Sequence, residues 1–331
     1  MSNLLNRRRQ LLAYGAATLG GAFLLPGCGG GGDDKTIGTQ VDEAKSIMNQ
    51  AEARPNLSLF VEAVNACGLR DRLSGSGSNT AFAPTNDAFN ALLGELNVSK
   101  DQLFNDKATL TAVIQFHILG KAQFTEAIVE GHAIEPIGGG FFKIDKQDNV
   151  FRATDGRNRV CTLIGTDVTA LNGVLHTLDK VMLPPNMDIV VTCEKKPDLA
   201  PQCNTARRCL EAAGLTDTLK QPGPYTFFCP TDTAFVQVLV ELNITLEVLL
   251  ADPVRCRKIM GCHMVPRRKF KKEFVADESL ATVETTTTIK VNSSYQVIDA
   301  RGRVCNLSTP DVINTNGIVH VCDKVILPAT V

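Results

Sequence analysis

The chain has 331 residues, 34 Lys and Arg against 35 Asp and Glu, and a formal net charge of −1 at pH 7. So even a balance excludes nucleic acid as a general partner, which calls for a basic face, and the length is enough to bury two substantial cores. The absence of Trp and the presence of only three Tyr argue against a carbohydrate-stacking cleft, while 15 Phe supply core.

In chain order, Arg7, Arg8 and Arg9 form a cationic start, Leu11 to Leu25 is a short apolar run, and Leu25-Pro26-Gly27-Cys28 resembles a bacterial lipobox. The run is shorter than the ~20 residues needed to cross a bilayer. We read residues 1–27 as a signal peptide and 28–40 as a lipidated Cys28 followed by a Gly-rich tether. The protein is therefore expected to be exported and membrane-anchored, facing the periplasm or cell surface. Arg8-Arg9-Gln10-Leu11-Leu12 also fits a twin-arginine signal, so the export route stays open.

Phe82 and Ala83 end a short strand, Pro84 stops it, and Thr85 stands where a helix needs its N-cap, with Asp87 in the first turn. Ala88, Phe89, Leu92 and Leu93 then follow helical spacing and predict a buried face. Farther on, Asn172-Gly173 is a turn before the apolar strand Val174-Leu175-His176-Thr177-Leu178, and Pro184 ends the region. All of this recurs. Thr80 to Phe89 returns as Thr226 to Phe235, His117 as His263 and Phe124 as Phe270, while Arg159-Val160-Cys161 and His176 return as Arg303-Val304-Cys305 and His320. Units of this length match independent domains rather than solenoid repeats, so we expect domains at 41–185 and 187–331. Pro184 and Pro185 leave almost no linker, which predicts a semi-rigid rod.

These blocks resemble the fasciclin domain, with its T-x-F-A-P-x-N-x-A-F block, its central aromatic-His pair and its N-G-V-x-H-x-x-D-x-V-L-x-P block in that order. Phe116-His117 keeps the central pair, whereas Cys262-His263 departs from it. The resemblance implies a mixed α/β fold in each copy, a twisted β-wedge flanked by helices. It also implies an adhesion or partner-binding role outside the cytoplasm, without enzymatic activity or cofactor. The alternative is an envelope carrier of a small apolar ligand held in the wedge, or an envelope enzyme.

Four of the five histidines, His117, His263, His176 and His320, are framework positions shared by the copies, which fits satisfied core residues better than general bases. Asp145, Asp148 and Asn149 read as a hairpin turn, since they lack the ligand spacing of a calcium loop. No C-x-x-C occurs, so no metal site is expected. Export would place the cysteines in an oxidising compartment. Cys67 and Cys161, alone in the first domain, form the simplest disulfide. Cys305 is the counterpart of Cys161, and Cys209 lies one turn before the counterpart of Cys67, so Cys209 to Cys305 is the second. Cys193, Cys203, Cys229, Cys256, Cys262 and Cys322 are left unassigned, with Cys229 and Cys322 on strands that the fold brings close.

Two surfaces differ between the copies. Arg267, Arg268, Lys269, Lys271 and Lys272 replace Lys121, Ala122, Gln123, Thr125 and Glu126, a cationic run suited to an anionic polysaccharide or lipid head groups, or to a solvated face. Pro310, Asp311, Val312 and Ile313 stand where some animal fasciclin proteins carry an integrin-binding E-P-D-I-M stretch, and they equally suit a turn before the last strand. The expected partner is an envelope or extracellular protein or an anionic polysaccharide, with the membrane reached through the lipid.

Overall fold

The structure, a computed structural model, describes residues 45–331. Cys28, the signal peptide and the tether lie outside these residues. Helices α1 (Ile47–Glu52), α2 (Ser58–Ala66) and α3 (Arg70–Ser74) lead into β1 (Asn79–Pro84). After it come α4 (Asn86–Leu96), α5 (Lys100–Asn105) and α6 (Lys107–Phe116). The strands β2 (Ile118–Leu119), β3 (Ala133–Ile134), β4 (Phe142–Gln147), β5 (Val150–Thr154), β6 (Val160–Ala170) and β7 (Gly173–Leu178) complete the first domain. They form one sheet of order β2-β1-β7-β6-β5-β4-β3, in which β1 and β7 are parallel and the remaining pairs antiparallel.

The expected N-cap is present in both copies. Thr85 Oγ1 accepts the Ala88 amide at 3.2 Å, and Thr231 Oγ1 accepts that of Ala234 at 3.1 Å. Alternation along β1 then divides the core in two. Ala81 and Ala83 face the helices, beside Phe60, Phe89 and Leu110. Phe82 faces the wedge, beside Phe116, Phe142 and Cys161. Its ring stacks on that of His176 at 5.1 Å and meets Phe142 edge-on at 5.5 Å.

The second domain repeats the scheme with α7 (Ile189–Lys195), α8 (Asn204–Ala212), α9 (Thr216–Lys220), β8 (Tyr225–Pro230), α10 (Asp232–Leu242), α11 (Leu246–Leu250) and α12 (Pro253–Cys262). Its later strands are β9 (Met264–Val265), β10 (Ser279–Ala281), β11 (Thr288–Val291), β12 (Val297–Ile298), β13 (Val304–Cys305), β14 (Leu307–Asn314) and β15 (Gly317–Cys322). Here the counterpart of β6 breaks at Asn306, which turns to bond Asp323 through both its amide and its side chain. The wedge strands β10 to β13 therefore form a sheet of their own, apart from β14-β15-β8-β9.

The four repeated histidines are fully buried, as expected of framework residues. His117 Nδ1 donates to Val113 O at 2.7 Å while its Nε2 accepts the Met182 amide at 2.9 Å, and His263 does the same with Ile259 and Ile326. Each imidazole bolts a helix end to the final segment of its domain. Burial pushes both down to about 4, so both are neutral at pH 7. Across the described residues the two domains form one compact unit.

Candidate functional site

Both surfaces singled out in the sequence fold into the seam between the domains. Asp311 opens the seam. Its backbone is left-handed (φ 66°), its amide donates to His320 Nδ1 at 3.1 Å, and its Oδ1 accepts the Lys271 amide at 2.6 Å. Oδ2 is thereby left pointing at the first domain, where Lys143 of β4 donates to it at 2.7 Å. This pair is largely shielded from water, with side-chain exposures of 14% for Lys143 and 6% for Asp311. Burial alone would lower the Lys143 pKa, but Asp311 and Asp145 beside it outweigh that effect and leave it raised.

Around this pair the seam alternates apolar and charged contacts. Phe141 of the first domain meets Phe270 of the second edge-on at 5.8 Å, and the Arg268 guanidinium covers the Phe141 ring at 4.7 Å. Ile313 and Ile318 complete this small core. Asn158, also left-handed (φ 65°), clamps the backbone of Ile313 through two bonds: its Nδ2 donates to the carbonyl at 3.1 Å and its Oδ1 accepts the amide at 2.6 Å. Glu273 accepts the Ala133 amide at 2.9 Å. Gly131 is needed for clearance, since a Cβ there would lie 2.6 Å from the Lys272 side chain.

The cationic run does not stand free. Arg268 pairs with Glu135 at 3.0 Å, and Lys272 pairs with Glu130 at 3.2 Å and Asp145 at 3.1 Å, all across the seam. Arg267 and Lys269 share Glu278 within the second domain. Lys271 lies 6.0 Å from the Tyr295 ring and gives its amide to Asp311. Carboxylates thus compensate four of the five cations, so much of the positive field of the run is neutralised within the chain. The loop expectation is corrected. Asp311, Val312 and Ile313 are buried and only Pro310 is half-exposed: the first domain covers Asp311 and Ile313, while Val312 packs into the core of its own domain.

The expected disulfides are also corrected. Among the described residues no two sulfurs lie at bonding distance, and the members of each expected pair belong to different core clusters. Cys67 ends α2 with Thr111 as its bonding neighbour, whereas Cys161 lies in the wedge core. Cys209 contacts Cys256, and Cys305 contacts Cys322. Cys305 does occupy the place of Cys161, but its neighbour Cys322 falls where the first domain has Leu178. Among the described residues no cluster of His, Cys, Asp or Glu could hold a metal ion.

Sequence reasoning missed Phe141, Lys143, Asn158 and the acidic partners Glu130, Glu135 and Asp145. One signal was available. Phe141 and Phe142 are consecutive, and since neighbouring strand residues face opposite ways, one Phe had to leave its own core.

Comparison with known proteins agrees with this architecture. The fasciclin domain family matches residues 55–184 and 201–328, so the chain belongs to that family and carries two copies. Transforming growth factor-beta-induced protein ig-h3 of Sus scrofa is 28% identical over 265 residues, covering 78% of this chain and 36% of its own length. Periostin of Homo sapiens is 27% identical over 294 residues, covering 87% of this chain and 32% of its own length. The chain thus spans about a third of these curated relatives. Protein sll1483 of Synechocystis is 35% identical over 146 residues, 44% of this chain and 76% of that protein. A solved domain pair from the insect cell adhesion molecule fasciclin I aligns over 82% of this chain and 97% of its own, at 19% identity and a TM-score of 0.41. The expected mixed α/β fold of two tandem fasciclin domains holds.

Proposed function

We propose that this protein is an exported, non-catalytic binding module of a bacterial cell envelope, anchored through lipid on Cys28 and presenting its domain pair to an envelope or extracellular protein. The observation that carries the reading is the seam. A buried ion pair, an aromatic contact and the Asn158 clamp fix one domain against the other, which suits a module that displays a constant outer surface. For the carrier alternative, the described residues offer a crevice of about 200 Å³ lined in part by Leu92, Leu96, Leu103, Val113 and Leu183, and an open depression of about 470 Å³ lined by Val236, Leu239, Val240 and Ile244. The first is below the roughly 300 Å³ at which small-molecule sites begin, and the second lies open on the outer face of α10, where Val236 and Val240 are exposed.

The anchor is tested by fractionating cells that express the full chain with Cys28→Ser. Release into the soluble fraction is expected, and unchanged membrane retention would overturn the lipid anchor. Binding is tested by titrating the labelled full chain onto envelope preparations. A protein partner gives saturable binding that protease treatment of the envelopes abolishes. An anionic polysaccharide, which the 54% exposure of Arg267 would favour, gives binding that resists protease and falls with salt. Absence of saturable binding would sink the module reading.

A further inference from the structure

The second domain holds eight of the ten described cysteines, and seven of them gather in three groups. Cys209 on α8 and Cys256 on α12 share the helical core as hydrogen-bonding neighbours. Cys305 on β13 and Cys322 at the end of β15 both donate to the Lys324 carbonyl, at 3.6 and 3.4 Å, and also touch each other. Cys193 on α7, Cys203 just before α8, and Cys229 on β8 converge as a group of three. Cys229 and Cys322 lie on adjacent strands but stay apart. Cys322 is level with Pro230, one residue beyond Cys229, so the two thiols point to opposite faces of the sheet.

The first domain shows what these positions require for packing alone. Counterparts of Cys209 and Cys256 are Ala63 and Leu110, those of Cys193, Cys203 and Cys229 are Ala51, Leu57 and Ala83, and that of Cys322 is Leu178, all buried and apolar. Isolated buried cysteines can simply replace small hydrophobes. Substitution at both members of the Cys209 and Cys256 pair, at Cys322 beside the Cys305 that the first domain already has as Cys161, and at a third set of three, points to bond formation between the sulfurs.

We infer that the second domain is a thiol-modification site, in which Cys209 bonds Cys256, Cys305 bonds Cys322, and two of Cys193, Cys203 and Cys229 bond each other, the oxidant being an external disulfide such as oxidised glutathione. In each reaction two thiols give up two protons and two electrons and one S–S bond forms. The external S–S bond breaks, and its sulfurs take up those electrons and protons as two thiols. The third thiol of the triple group stays beside the new bond, where it can exchange with it. Because the sulfurs are buried in the finished fold, the bonds close while the chain is folding.

The full chain, reduced and unfolded, is refolded in a glutathione redox buffer, alkylated and digested without reductant. Expected are crosslinked peptides Cys209–Cys256 and Cys305–Cys322 and a crosslink confined to Cys193, Cys203 and Cys229, with Cys67, Cys161 and Cys262 alkylated. Alkylation of all ten, or crosslinks Cys67–Cys161 or Cys209–Cys305, would overturn the inference. In Cys322→Leu, which installs the residue of the first domain, Cys305 should become alkylated. Finding Cys305 crosslinked elsewhere in that variant would overturn the pair.

Discussion

Asp167 and Asp311 occupy the same place in the two copies, with the same left-handed backbone (φ 60° and 66°) and the same amide bond to a buried histidine, at 3.2 and 3.1 Å. Each also accepts the amide of the residue after a conserved-register phenylalanine, Thr125 or Lys271. They part at the second carboxylate oxygen. In the first domain the Thr125 hydroxyl occupies it. In the second, Lys271 stands in place of Thr125 and offers no hydroxyl there, and the freed oxygen reaches Lys143 of the other domain. A framework aspartate becomes an interdomain residue through a change at a different position, which is why Pro310-Asp311 resembles a recognition loop while serving the seam.

Removing the carboxylate should separate the two roles. Asp311→Ala removes the more buried of the two carboxylates that hold Lys143, leaving Asp145 at 3.0 Å, and should cost about 3 kcal/mol, the low end of the penalty for breaking a buried pair from one side. Asp167→Ala loses only neutral-donor bonds and should cost about 1–3 kcal/mol. Chemical unfolding of both variants checks this. Equal losses would mean that Asp145 alone satisfies Lys143 and that the seam does not depend on Asp311.

Acid should act on the copies alike. His117 and His263 protonate near 6.5 when unfolded but only near about 4 when folded, because burial disfavours the charge. Their neutral bonding is fully stabilising above pH 6.5 and is lost as the pH falls toward 4, by about 3 kcal/mol for each histidine. Asp145, whose pKa is held down by Lys143 and Lys272 against the effect of its burial, adds to the loss in the same direction. Urea midpoints at pH 7 and pH 4.5 measure the difference, and midpoints that do not move would exclude neutral buried histidines.

The smallest effect concerns what the copies share most closely. Thr85→Ala and Thr231→Ala each remove one N-cap bond and should each cost about 1 kcal/mol. Differential unfolding should show the two losses equal within error. Inequality would show that one β-to-α junction carries strain that the other lacks.

Much of the fold was legible because its signals are local. Thr85 and Thr231 announce helix starts, and the alternation around Phe82 sorts the two cores. The duplicated histidines identified themselves as framework by being duplicated. The seam was less legible because it depends on residues brought together from positions far apart in sequence: Lys143 and Asp311, or Asn158 and Ile313, carry no spacing that marks them as partners. The cationic run looked like a binding face because its compensating carboxylates, Glu130, Glu135 and Asp145, are distant in the chain. The cysteine pairing failed for a related reason. Equivalence located Cys305 correctly, but its neighbour Cys322 stands at a position that the first domain fills with leucine.

Gly156 has a consequence for how the pair bears load. A Cβ at this residue would lie 2.2 Å from the Pro185 backbone nitrogen, so the short connection between the domains is seated against the body of the first domain. With that connection held down, and Asn158 two residues farther on gripping Ile313, there is no slack strand to pay out under tension. A pull applied between the first and second domains reaches the connection and the seam together, and the pair should resist stretching as a single link rather than as two beads on a string.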